Sequence, residues 1–240
     1  MFVHYRTLGI FLKKENRGEA DQLFTIFTKD FGKLKILGKA IRKIKSKLRS
    51  GAELFYLSEI EFIQGKAYKT LTDTILVDKF QNLRKDLEKL EISSEIAEII
   101  DNLVKGEEAD EKVWQLLLET FERINHSSLS PWTYYYFLWN FLSLLGYKPE
   151  LNRCAVCQKK VNPDNFYFDS EQGGIVCQRC FNKEGKGIKV SPETIKIIRI
   201  LLKKDWNLLS KLKVELGHKK ELEEASRTYL CHLHDILGLS

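Results

Sequence analysis

Four of the five cysteines in the 240-residue chain fall in one stretch, "CAVCQKKVNPDNFYFDSEQGGIVCQRC". Cys154 and Cys157 form one C-x-x-C pair, Cys177 and Cys180 form another, and nineteen residues separate the two. Two such pairs on facing turns can set four thiolates tetrahedrally around one ion, and the spacing is that of four-cysteine zinc sites. Two disulfides or four reduced thiols are the competing reading, and disulfides are disfavoured for an intracellular chain. Four thiolates leave no coordination position for water, so one structural Zn²⁺ per chain is expected, not a catalytic one. "NFYFDSEQGGIVC" supplies a strand, a turn at Gly173 and Gly174, and a return strand, which is a zinc-ribbon-like insert at about 150–185.

Other chemistry is missing or superficial. The H-x-E element that accompanies paired cysteines in nucleobase deaminases is absent. Cys231, His232 and His234 in "LCHLHD" are read as core or surface residues, not as a second metal site. "GKLKILGKA" imitates a phosphate-binding loop, but five residues separate Gly32 from Gly38, and Ala40 follows Lys39 where a Mg²⁺-binding hydroxyl belongs. Neither H-E-x-x-H nor G-x-S-x-G occurs. No enzymatic activity is expected.

The remaining chemical signal is charge. Formal net charge is +6, and it is unevenly placed: 16 basic and 9 acidic residues in 1–80, 7 and 13 in 81–150, 16 and 11 in 151–240. Between Gly32 and Gly51 lie Lys33, Lys35, Lys39, Arg42, Lys43, Lys45, Lys47 and Arg49, with no acidic residue among them. Clustered like charge destabilises a compact state, so the stretch calls for an external anion. A nucleic-acid footprint is the reading adopted, with these eight residues as phosphate contacts.

The elements that position these residues follow from hydrophobic patterning. From His4 to Val77, short runs rich in β-branched and aromatic residues alternate with glycine-bearing turns, the pattern of a β-meander. Five strands in so short a length predict an OB-type barrel over 1–79, with the basic stretch after the third strand. Ile41, Ile44 and Leu48 are spaced for a short helix with an apolar stripe. Over 80–240 the pattern is helical. Two helices are expected in "FQNLRKDLEKLEISSEIAEIIDNLVKG", the second capped by Ser93 or Ser94. Further helices follow in "ADEKVWQLLLETFERINHSS", in "SPWTYYYFLWNFLSLLGYKP" (capped by Ser130 and Pro131, ended by Gly146), in "VSPETIKIIRILLKK", and near the C-terminus. Seven aromatics between Trp132 and Phe141 are read as a buried bundle helix, not a base-stacking platform. The fold class expected is α+β, a five-stranded OB-type barrel followed by a helical domain carrying the zinc insert.

No apolar run reaches 18 residues, and the first residues lack signal-peptide organisation. A cytoplasmic protein without a membrane partner is expected. A zinc-ribbon RNA-binding or translation-associated factor, or a scaffold binding only protein, would share parts of this organisation.

Taken together, "TLGIFLKKENRGEADQLFTIFTKDFGKLKILGKAIRKIKSKL", the helical middle and the four-cysteine insert resemble the RecO family of bacterial DNA repair proteins over essentially the whole chain. Gly9, Gly18 with Glu19, Thr28 with Gly32, and Gly38 to Arg42 carry most of the resemblance. The cysteine pairs are similar to those of family members that keep zinc; others have lost it. The resemblance implies a nucleoid-associated recombination mediator. It would bind single- and double-stranded DNA, anneal complementary strands without ATP, and work with RecR and the C-terminal tail of single-strand-binding protein to load RecA.

Overall fold

β-Branched and aromatic runs of the N-terminal third form five strands: β1 (His4–Arg17), β2 (Asp21–Thr28), β3 (Gly32–Gly38), β4 (Leu57–Ile63) and β5 (Lys69–Asp78). The computed structural model describes residues 3–65, 67–126, 132–161, 166–211 and 214–238. The strands close a barrel in the order β1-β2-β3-β5-β4, with β1 returning to β4 and β3 running parallel to β5. This is the OB-type arrangement expected. The long first strand serves both neighbours, with a register shift between Phe11 and Lys13 that re-aims it.

Phe11, Phe24, Ile26, Leu34, Ile36, Ile60, Phe62 and Leu71 fill the barrel. From Leu23 to Thr28 every residue of β2 is buried, because helices cover the outer face. These are α1 (Leu87–Leu103) and α2 (Glu111–His126). Phe27 stacks on Trp114 with ring centroids 6.4 Å apart, and Phe55 and Phe80 each meet Phe121 edge-on at 5.8 Å. Asn125 Oδ1 accepts from the backbone N–H groups of Asn82 (2.9 Å) and Leu83 (3.3 Å), fixing the chain as it leaves the barrel. The chain accordingly forms two compact units, Met1–Leu129 and Ser130–Ser240. Strands give way to helices near residue 80, inside the first of these units.

Helix α1 corrects one expectation, since a single helix runs through Ser93 and Ser94. Asp86 is the cap, accepting from Glu88 and Lys89 N–H, while the two serine hydroxyls donate back to the carbonyls of Lys89 and Leu90, each at 2.8 Å.

The second unit centres on α3 (Thr133–Leu144), buried on nearly all sides. Gly146 takes φ +93° and ends it; the Ser130 and Pro131 start signals lie outside the described residues. Helix α4 spans Gln178–Glu184, α5 spans Pro192–Leu202 with Ser191 as cap, α6 spans Trp206–Ser210, and α7 spans Leu216–Leu237. The cysteine insert contributes β6 (Phe166–Asp169) and β7 (Gly174–Cys177), and β8 (Ile188–Lys189), just after it, completes a sheet in the order β7-β6-β8. Trp139 stacks on Tyr229 of α7 (5.6 Å) and meets Phe168 of β6 edge-on (6.0 Å), so three rings join the bundle to the insert. Among the described residues, no helix is long and apolar enough to cross a membrane.

Gly32 offers a direct test of this packing. Its φ is +62°, and a Cβ there would lie 2.2 Å from the backbone oxygen of Glu108. Gly32→Ala should therefore cost at least about 2 kcal/mol through backbone strain and displacement of the segment before α2. Chemical denaturation would show a lowered midpoint; an unchanged midpoint would mean that this turn does not pack as described.

Candidate nucleic-acid interface and metal centre

The basic segment begins on β3 and continues through a loop and a short 3₁₀ turn, Lys47–Ser50. Backbone hydrogen bonds pin it. Ala40 N–H donates to Asp21 Oδ1 (2.7 Å) and Arg42 N–H to the Ala20 carbonyl (3.0 Å), tying the loop to the β1–β2 turn. At the other end, Thr74 Oγ1 donates to the Leu48 carbonyl (3.0 Å), and Ser58 Oγ donates to that of Gly51 (2.6 Å). The amphipathic helix expected here does not form. Ile41 reaches the barrel core and Leu48 packs against it, but Ile44 is 92% exposed between Lys43 and Lys45.

Lys35, Lys39, Arg42, Lys43, Lys45, Lys47 and Arg49 are all exposed. None forms an ion pair among the described residues, whereas most other cations of the barrel do. Lys33 leaves the group, because its side chain is half-buried against α1, its Nζ lies 3.4 Å from Asp101 Oδ1, and it also donates to the Asp101 carbonyl. The barrel's acidic residues are engaged elsewhere: Glu61 takes hydrogen bonds from His4, Arg6 and Thr72, which hold its carboxyl down at about 2. The near-miss phosphate loop also resolves. Gly32–Gly38 is a strand whose residues pair with β2, so it cannot wrap a phosphate as a loop does.

In the second unit, the sulfurs of Cys154, Cys157, Cys177 and Cys180 all lie within 4.8 Å of one another. Tetrahedral Zn–S bonds of about 2.3 Å would place sulfurs about 3.8 Å apart, and Cys157 and Cys177 already stand at 3.9 Å. Two different local structures present the pairs. The first sits on a tight turn closed by Gln158 N–H to the Cys154 carbonyl (2.8 Å) and Cys154 N–H to that of Lys159 (2.9 Å). Instead of a facing turn, the second spans the end of β7 and the first turn of α4. Gly174 lets the hairpin lie against the chain before the first pair: a Cβ there would stand 2.2 Å from the Glu150 oxygen.

Burial raises the Cys154 thiol, but backbone N–H groups of Cys157, Cys177 and Val156 outweigh it and leave it lowered to about 7. Burial and the neighbouring thiols push Cys180 up to about 12. Amides aimed at one buried sulfur favour thiolate, the form a metal ligand must take. The arrangement is compatible with zinc. Cys231 is exposed, and among the described residues neither it nor His232 or His234 joins a group able to share an ion.

Sequence reading passed over a second set of cations, Lys159, Lys160, Arg179 and Lys183, which flank the cysteine pairs and are exposed. The signal was present in "CQKK" and "CQRCFNK", masked by the zinc spacing itself.

The chain is similar to known proteins over almost its whole length. The family model described as "Recombination protein O N terminal" matches residues 1–80, and "Recombination protein O C terminal" matches residues 84–234. The chain is 34% identical to the DNA repair protein RecO of Dehalococcoides mccartyi over 93% of its own length and 88% of that protein. It is 31% identical to the RecO of Thermoanaerobacter sp. strain X514, covering 94% and 90% of the two chains. To the RecO of Roseiflexus sp. strain RS-1 it is 28% identical, covering 95% and 81%.

Proposed function

The chain belongs to the RecO family of DNA repair proteins, and from that premise we propose that it is a non-enzymatic recombination mediator. It binds single- and double-stranded DNA and anneals complementary strands. With RecR and the C-terminal tail of single-strand-binding protein it assists RecA loading, which places it in the cytoplasm at the nucleoid. The observation that carries this reading is the seven exposed cations from Lys35 to Arg49 that lack acidic partners among the described residues.

The proposed mechanism is electrostatic. Each phosphate neutralised on a single strand releases counterions and steepens the log–log salt dependence by about 0.7. With two strands neutralised on one pinned basic surface, repulsion between them falls and their bases can pair. Phosphate contacts carry no base information, so annealing is expected for any complementary pair. The four cysteines hold one structural zinc, which fastens the insert and supplies no reaction step.

The geometry therefore predicts annealing without nucleotide energy, since Lys39 follows a strand and not a phosphate-binding loop. Annealing rates of complementary oligonucleotides should be equal with and without ATP and Mg²⁺. ATP hydrolysis that disappears in Lys39→Ala would overturn the reading.

A further inference from the structure

The cations beside the metal centre crowd like charge on one surface. Arg179 and Lys183 stand four residues apart on α4, a like-charge pair that destabilises a helix by about 0.2–0.5 kcal/mol. Lys159 and Lys160 follow the first cysteine turn, where Lys159 holds Cys154 through its backbone and Lys160 bridges to Arg153. All four side chains line one groove of about 490 Å³, together with Val156 and the sulfur-bearing residues Cys157, Cys177 and Cys180. Among the described residues, none of the four forms an ion pair, and the ion pair of this unit, Lys186–Glu171, lies outside the groove.

Part of this charge answers the metal centre. A tetrathiolate zinc carries a charge of about −2, which leaves an excess of about two positive charges. The groove contains no aromatic, leucine or isoleucine side chain, so a peptide would find no pocket for the apolar anchors that fix peptides and protein partners. Val156, 37% exposed, is the groove's one aliphatic side chain. Two frames hold the cations in place: the cysteine turn on one side and α4 on the other, joined through the four sulfurs.

We propose that this groove is a second phosphate-binding site, on the zinc-bearing unit, for the backbone of a nucleic-acid strand. The proposal rests on the reading that the protein works on DNA, and it does not require the barrel segment to be the main contact. With one phosphate site on each unit, the chain can hold two strands at once.

The test uses the full-length protein with Lys159, Lys160, Arg179 and Lys183 all changed to Gln. Zinc content and thermal midpoint report whether the metal centre survives. With zinc retained, the salt slope for single-stranded DNA should become shallower by about 1–3. The same drop should recur in the Lys43→Ala, Lys45→Ala, Lys47→Ala background, because sites on separate units add. If zinc is lost, the pair Lys160→Gln and Lys183→Gln repeats the measurement with half the charge removed. Photocrosslinking of bromodeoxyuridine-substituted strands to the unaltered protein should label peptides spanning 153–160 or 178–183. An unchanged slope with zinc intact, crosslinks confined to the barrel, or loss of binding to an acidic peptide with DNA binding unaffected would overturn the proposal. A barrel variant without effect beside a groove variant with one would instead refute the barrel placement alone.

Discussion

Cys154→Ser is expected to abolish stoichiometric zinc binding and to loosen the insert between about 150 and 185. Cys154 is fully buried, and its sulfur receives the backbone N–H groups of Cys157 and Cys177, among others, as well as closing the thiolate set. Structural zinc contributes on the order of 10 kcal/mol or more to small metal-dependent folds. Among the described residues, only Val176, Val161 and Phe181 pack around the cysteines, while Phe166, Phe168 and Ile175 are buried farther along the hairpin, where Phe168 meets Trp139 and Tyr229. Losing the ion therefore removes what joins the two cysteine pairs, while the Phe168 contacts to the bundle remain. Elemental analysis should fall from one zinc per chain toward none, and hydrogen exchange should accelerate in β6 and β7 while the barrel strands stay protected. The barrel's share of DNA binding should persist, since Met1–Leu129 is a compact unit by itself. Full zinc occupancy in the variant, or equal loss of protection in the barrel, would contradict this account.

The second large effect concerns the pinned basic loop. Changing Lys43, Lys45 and Lys47 to Ala removes up to three phosphate contacts, so the salt slope for single-stranded DNA should become shallower by about 2. Affinity at low salt should fall alike for every sequence, and annealing should fall with it. The fold should survive: all three side chains are exposed, while Ile41 and the Thr74 and Ser58 hydrogen bonds that anchor the loop are untouched. Zinc content should not change. The comparison variant changes Lys203, Lys204 and Lys211, where no specific contact is expected. An unaltered slope in the first variant with a lowered one in the second would move the binding surface to the second unit.

How much of this could be read in the sequence depended on whether the physics was local. The strands were legible because alternation and β-branching act residue by residue, and the cysteine pairs because ligand spacing is a local rule. Thr28 and Gly32 make the point: the motif is a hydrogen bond from Thr28 Oγ1 to the Gly32 carbonyl at 2.8 Å. The failures lay where distant partners decide. Lys33 looks like its basic neighbours, yet Asp101, 68 residues away, engages it. Ile44 shares a helical spacing with Ile41 and Leu48, but eight residues are too short a window to separate periodicity from coincidence. Ser93 and Ser94 are good caps in isolation, and Asp86 supplied a cap earlier. That α2 covers the barrel, through Trp114 and Phe121, follows from packing that no local pattern announces.

The most direct test of the central claim is equilibrium binding of the unmodified protein to single-stranded DNA, duplex DNA and RNA over a series of salt concentrations. The account predicts tight, sequence-independent binding to both DNA forms at low salt, with log affinity falling linearly in log salt by several counterions' worth. Absence of DNA binding at low salt, or a strong preference for structured RNA over single-stranded DNA, would contradict it.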